Sequence, residues 1–245
     1  MSDNFLDDKN TFEVSIEIDG GEPLSGDLIT RIEHAINLAE DSSHPVRSLL
    51  IRICGHEDAP SLLSWPGECH VQPVSKWERA LRRLERTSVP VFVLAHQACS
   101  PIALEVLLVA DYRVATQSFL MPARTSGVAT WPGMSLYRLT RQIGEARARR
   151  FLITSSPLTA SLALQTDIID YLANDLDAAL KQLEFVLAQA PLDDFAVRRR
   201  LMQDSADTSF DEALGAHLAA CHRALQRRDS GFSSRTEEAL NTSSI

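Results

Sequence analysis

The stretch that decides the fold is Cys99-Ser-Pro-Ile-Ala-Leu-Glu-Val-Leu-Leu-Val-Ala-Asp111. Ser100 is a favoured N-cap residue, and Pro101 takes the first helical position, where a missing N–H leaves no helical bond unmade. The amide of Ile102 therefore falls in the first turn, with no acceptor within the helix and at the positive end of its dipole. An amide so placed can stabilise a developing oxyanion. Glu105 follows three residues later on roughly the same face, the only ionisable residue between Ile102 and Ala110. An otherwise apolar helix is a buried one, so this carboxylate is either partnered or has its pKa raised by desolvation. The residues alone leave two readings open. Glu105 is a general acid or base tuned towards neutrality, or it is a structural carboxylate at an interface or beside an arginine. Asp111, just past the helix, reads as a structural residue of the helix-to-strand turn.

Working outward, Val89–Ala95 and Leu49–Cys54 are near-continuous apolar runs, the pattern of strands buried in a parallel sheet. Glu13–Ile18 alternates, with Val14, Ile16 and Ile18 on one face. Leu28, Ile29, Ile32, Ala35, Ile36 and Ala39 recur at helical spacing, as do Val74, Trp77, Ala80, Leu81 and Leu84. A short strand is expected around Tyr112–Ala115. From Met134 the pattern is almost wholly helical, with breaks near Gly144, Pro157, Asn174–Asp175, Pro191 and Ala206–Ser209. Strand and helix alternate in the first half, which predicts an α/β class with parallel pairing. The expected organisation is a core over 1–190, frayed over 1–11, and then a helical C-terminal region over 191–228. The polar, Ser-rich segment 229–245 is expected to be disordered.

Composition narrows the function classes. Of 245 residues 44% are hydrophobic and 23% charged, an ordinary globular balance. A net charge of −9 argues against nucleic acid, whose phosphates need a basic surface. The acidic start MSDNFLDDKN is unlike a signal peptide, and no apolar run reaches membrane-span length. A cytoplasmic protein is expected, with its four cysteines as reduced thiols.

The segment Val93-Leu-Ala-His-Gln-Ala-Cys-Ser-Pro-Ile-Ala-Leu-Glu-Val-Leu-Leu-Val-Ala-Asp-Tyr-Arg-Val-Ala115 is similar to the signature of the crotonase (enoyl-CoA hydratase/isomerase) superfamily. Trp131-Pro-Gly-Met-Ser-Leu-Tyr-Arg-Leu-Thr-Arg-Gln-Ile-Gly144 resembles that family's Pro-Gly stretch and following helix, and Ala146–Leu158 with Ser161–Asp170 resembles its next segment. Together these cover roughly residues 13–190. Val74–Arg86 and Ala129–Gly133 further resemble one branch, the DpgB-type accessory hydratases of 3,5-dihydroxyphenylacetyl-CoA biosynthesis.

The resemblance implies a spiral of stacked β-β-α units with a helical C-terminal trimerisation region, assembled as a homotrimer or hexamer. It implies an acyl-CoA thioester substrate, with coenzyme A present as part of that substrate and no separate cofactor. The thioester enolate is held by two backbone amides, which fall on Ile102 and on Glu68 in Trp65-Pro-Gly-Glu-Cys-His70. Glu105 takes the place of the first of two proton-transferring glutamates. The second place falls at Ala123, and alanine cannot move a proton. Ser100-Pro101-Ile102 replaces the family's glycine triplet, so the Ser100 hydroxyl is expected to compete for the Ile102 amide.

The function expected is hydration or dehydration of a polyketide-derived acyl-CoA in secondary metabolism, of the antibiotic-forming kind. The alternative is a non-catalytic or weakly catalytic partner of a type III polyketide synthase or of a sister crotonase. The missing glutamate and a low glycine count of ten favour some drift from ordinary hydratase chemistry.

Other candidates are weaker. Cys54, His56, Cys69 and His70 lack the spacing of a zinc site, and no metal is expected. His96, Ser100 and Asp111 supply the residue types of a hydrolase triad without its Gly-x-Ser-x-Gly elbow. His96 is either a substrate contact or a satisfied half-buried side chain. Trp65 and Trp131, each followed by Pro-Gly, either wall the acyl pocket or pack at turns. The run Arg198-Arg199-Arg200 and the pair Arg227-Arg228 either meet CoA phosphates or form a solvated face.

Overall fold

The computed structural model describes residues 12–41, 43–56, 71–122, 131, 133–154 and 156–242, with side chains as far as 227. The chain divides into two compact units, Met1–Leu192 and Asp193–Ile245.

The first unit is built on a sheet of β1 (Val14–Asp19), β2 (Leu49–Cys54), β3 (Val91–His96), β4 (Tyr112–Thr116) and β7 (Tyr171–Ala173), all parallel and in that spatial order. Its helices are α1 (Gly26–Glu40), α2 (Val71–Leu84), α3 (Pro101–Leu108), α4 (Ser135–Ile143), α5 (Glu145–Ile153), α6 (Ala160–Gln165) and α7 (Leu176–Gln189). β5 (Leu120–Met121) and β6 (Leu158–Thr159) make a small antiparallel pair.

The sheet is covered on both faces, which is why β2 and β3 read as continuous apolar runs. Leu49, Ile51, Ile53, Val91, Val93 and Ala95 point into a core shared with α1, α2 and α3. Leu50, Phe92, Leu94 and Val114 point the other way, onto Ala179, Leu183 and Leu187 of α7. On α1 the buried residues are the six expected, from Leu28 to Ala39. Ile32 has no exposure, and truncating it to Ala would cost ~2–5 kcal/mol.

Three short strands were not legible in the periodicity, and two of them, β6 and β7, lie beyond Met134, where helix is expected almost throughout. β5, β6 and β7 have two, two and three residues, too few to register a period of two. The breaks at Gly144 and Pro191 do coincide with helix ends.

The second unit is a pair of helices, α8 (Phe195–Ser205) and α9 (Phe210–Thr242). Helix α9 continues to Thr242, where the sequence predicts a disordered tail beyond Arg228. No proline interrupts Phe210–Thr242, so nothing in the covalent chemistry stops the helix. Among the described residues no helix is long and apolar enough to cross a membrane.

Candidate active site

The C-terminal ends of β1, β2 and β3 are drawn together by backbone hydrogen bonds. Gly20 N–H donates to the Cys54 carbonyl, Gly55 N–H to the His96 carbonyl, and Ser100 N–H to the Gly20 carbonyl at 2.7 Å. The approach is so close that a Cβ on Gly55 would lie 1.9 Å from the Ala98 oxygen. Gln97 takes up the left-handed backbone conformation, φ 61°, that turns the chain from β3 into α3. α3 thus starts at the carboxyl edge of the parallel sheet, where open α/β folds place their ligands.

The start of α3 leaves one amide uncommitted. Pro101 has no N–H. Ala103 N–H donates to Ser100 Oγ at 3.3 Å, and Leu104 N–H donates to the Ser100 carbonyl at 3.0 Å. The Ser100 hydroxyl caps Ala103 and does not take the Ile102 amide, which corrects the expected competition. The cap geometry explains it, since an N-cap oxygen commonly bonds the third helical residue. Among the described residues the Ile102 amide makes no hydrogen bond.

Glu105, one turn on, has no exposed surface. Trp77 Nε1–H, from α2, donates to its Oε2 at 2.7 Å, and Met134 N–H donates to its Oε1 at 3.1 Å. The Trp131 indole lies beside it, next to Gly133, and also favours its ionised form. The carboxylate is therefore partnered by neutral N–H groups from two other parts of the chain. Burial, the largest influence, holds its pKa above the ordinary carboxyl value, and the Trp77 bond works against that. Glu78 raises it further and Arg138 lowers it. Those two pair with each other, Arg138 Nη2 to Glu78 Oε2 at 2.9 Å, and Arg138 Nε also donates to Glu85 Oε1 at 3.1 Å. Arg138 is buried on α4 because two carboxylates on the α2 side meet it.

The structure brings Glu105, Ile102 and Trp131 to one end of α3. His96 lies at the end of β3 with Nδ1 at 2.7 Å from Thr116 Oγ1 and 3.1 Å from Ser118 Oγ, the satisfied half-buried arrangement. Trp131 stands beside the Glu105 carboxylate across Gly133. Glu68, Trp65, Ala123, Cys69 and His70 lie outside the described residues. Asp111 Oδ2 accepts from Val91 N–H at 2.8 Å, which makes it a structural residue at the start of β3.

Sequence reasoning missed the function of Trp77, which periodicity places in the core and no more. A signal did exist: Trp77 is the one buried residue of α2 with a donor, and a buried indole N–H seeks an acceptor. Four arginines of the second unit are engaged within it. Arg199 lies over the Phe195 ring, Arg198 donates to the Asp193 carbonyl, Arg200 pairs with Asp204, and Arg227 pairs with Asp194. Among the described residues no group of three or more His, Cys, Asp or Glu is placed to hold a metal ion.

No family model matches the chain. An enoyl-CoA hydratase of Amycolatopsis orientalis is 35% identical over 215 residues, covering 88% of this chain and 97% of the relative. The chain belongs to the enoyl-CoA hydratase (crotonase) family. Solved structures agree on the crotonase fold. An enoyl-CoA hydratase/isomerase from Marinobacter aquaeolei superposes with TM-score 0.70 over 86% of this chain and 88% of its own, at 14% identity. An enoyl-CoA hydratase from Mycobacterium smegmatis gives TM-score 0.70 over 88% of each chain, at 17% identity.

Proposed function

We propose that this crotonase is a lyase that adds water to, or eliminates it from, an acyl-CoA thioester, with coenzyme A arriving on the substrate. One observation carries the reading: on a single short helix, the uncommitted Ile102 amide and the buried Glu105 carboxylate stand one turn apart. The amide holds the thioester oxygen as negative charge develops on it, and Glu105 takes the α-proton. A second amide comes from the loop after β2, at Glu68. A carboxylate has about four lone-pair positions, and two N–H donors leave about two, one of which can receive a proton.

The residue aligned with the second family glutamate is Ala123. A site with one glutamate suits elimination from a 3-hydroxyacyl thioester, since enolisation needs one base and one oxyanion hole. The substrate is a polyketide-derived acyl group in a pathway of the 3,5-dihydroxyphenylacetyl-CoA type. The likeness of Val74–Arg86 and Ala129–Gly133 to the DpgB-type branch supports this. Trp65 is assigned to the acyl site, and His96, held by Thr116 and Ser118, is left out of it. The protein works in the cytoplasm as a homotrimer or hexamer. Phe210, Leu214, Leu218 and Leu225 recur on one stripe of α9 and are exposed, which suits a helix that meets another copy.

The second reading is an accessory partner of a polyketide synthase, binding the thioester with little turnover of its own. The crowding of Glu105 by N–H donors favours it. One experiment separates the two: a panel of enoyl- and 3-hydroxyacyl-CoA thioesters, followed by thioester absorbance, with Glu105→Gln alongside. Turnover that falls by ~10²–10⁴ in the variant supports the enzyme. An unchanged rate refutes it, and thioester binding without turnover moves the conclusion to the accessory partner.

A further inference from the structure

The Trp77 side chain is wholly buried on α2, in line with Ala80, Leu81 and Leu84. Its neighbours on that stripe pack and need no partner. A buried indole N–H does need one, and the acceptor it meets is Oε2 of Glu105, 28 residues along the chain, at 2.7 Å. The groups around Glu105 are two charged side chains, Glu78 on α2 and Arg138 on α4, and the neutral donors Trp77, Trp131 and Met134 N–H. Glu78 and Arg138 oppose one another in their effect on the carboxylate and are paired with each other. Glu85 completes that cluster from the other side of Arg138. Burial is the largest influence on the ionised form, and the fixed influence that opposes it is that of the N–H donors. Among everything that favours ionisation, the Trp77 bond is the largest.

The geometry also sets direction. The Cγ–Cδ torsion of a glutamate is broad and roughly two-fold, so a carboxylate with one tethered oxygen can still swing. Here Oε2 is fixed from α2 and Oε1 from the Met134 amide, on opposite ends of the group. Every one of these neighbours is a donor. A neutral acid would turn its O–H towards groups that cannot accept it.

We propose that Trp77 is a positioning residue for Glu105, its indole N–H fixing Oε2 so that the side chain waits as an oriented carboxylate ready to take a proton. This rests on the reading of Glu105 as the proton acceptor, and the test keeps the two apart. In protein labelled with ¹³C at the glutamate side-chain carboxyls, the Glu105 resonance is identified by its loss in Glu105→Gln. Its titration is then followed in the wild type, in Trp77→Phe, and in protein carrying benzothienylalanine at position 77. The last keeps the bicyclic shape and replaces N–H by sulfur, so it reports on the donor even where the phenylalanine variant folds poorly.

The titration midpoint is expected to rise by about 1–2 pH units when the donor is removed, a hydrogen bond to a charged group divided by the free energy of one pH unit. The acid limb of kcat/KM is expected to move up with it. A midpoint that stays put with the sulfur analogue overturns the proposal. A midpoint that rises while the kcat/KM profile stays still supports Trp77 as the positioning group and overturns Glu105 as the proton acceptor.

Discussion

Gly133→Ala is the substitution that tests the site's packing most sharply. Gly133 stands just before α4 at φ +38°, and a Cβ built on it would lie 2.0 Å from Glu105 Oε1 and 2.7 Å from Trp131 Nε1. Glutamate tips usually give way, but this one is buried and tied at Oε2 to Trp77. An alanine there carries a left-handed backbone penalty of about 1–2 kcal/mol. Pushing the carboxylate aside breaks its bond to Met134 N–H, worth about 1.5–3 kcal/mol because the acceptor is charged. At the lower ends the loss is ~2.5 kcal/mol, a fall in Tm of about 5–10 °C for a chain of this size. Urea unfolding or thermal melts followed by circular dichroism measure it. The decisive version is a double-mutant cycle with Glu105→Ala. With the carboxylate gone, the backbone penalty and the contact with Trp131 remain, so a coupling of about 1.5–3 kcal/mol, the Met134 bond, is expected. Equal costs for Gly133→Ala with and without Glu105 would refute the argument that the glycine exists to admit the carboxylate.

Three further outcomes follow from the same geometry. Asp111→Ala, which removes the acceptor for Val91 N–H, should lower stability by about 1–2 kcal/mol in urea unfolding and leave thioester affinity unchanged. Burial pushes the Cys99 thiol up to about 12, whereas Cys221 is exposed. Iodoacetamide at pH 8 should therefore spare Cys99 until the protein unfolds, as read by peptide mass mapping. Burial also raises the Glu105 carboxyl above its ordinary 4.5, so in that window the folded state holds more protons than the unfolded one. This contribution to stability is greatest below pH 4.5, declines as pH rises through the folded value and is flat above it; unfolding midpoints across pH should lose that decline in Glu105→Ala.

Much of the fold was legible because burial patterns are local. Six residues of α1 and the runs of β2 and β3 state their faces outright, and Ser100-Pro101 announces the start of α3. What stayed hidden depends on partners distant in sequence. Nothing near Arg138 predicts its burial, because Glu78 and Glu85 are more than fifty residues away. The same is true of Trp131, whose Pro-Gly setting suggests a turn or a pocket wall and not a place beside Glu105. The three short strands were lost to length, not to misleading composition. Glu105 itself was found as a lone charge in an apolar helix, and burial does raise its carboxyl, as the acid/base reading expects. Its hydrogen-bond partners, the Trp77 indole and the Met134 amide, were not legible.

That division bears on how so few conserved-looking features can support a site. The separation between the Ile102 amide and the Glu105 carboxylate is set by the helix itself, three residues at about 1.5 Å of rise each. No glycine triplet is needed to keep it. What the helix needs is a start that leaves the right amide free, and Ser100-Pro101 does this by chemistry: proline brings no N–H, and the serine oxygens take those of Ala103 and Leu104. The helix cannot supply the electrostatic setting of the carboxylate, since its other side chains are apolar. That must come from outside, and it comes from α2 and the turn before α4. The site thus separates into a local part, fixed by thirteen consecutive residues, and a tertiary part that tunes them. Substitutions in the tertiary part should shift the acid limb of the pH profile, while substitutions at the helix start should alter transition-state stabilisation with the limb in place.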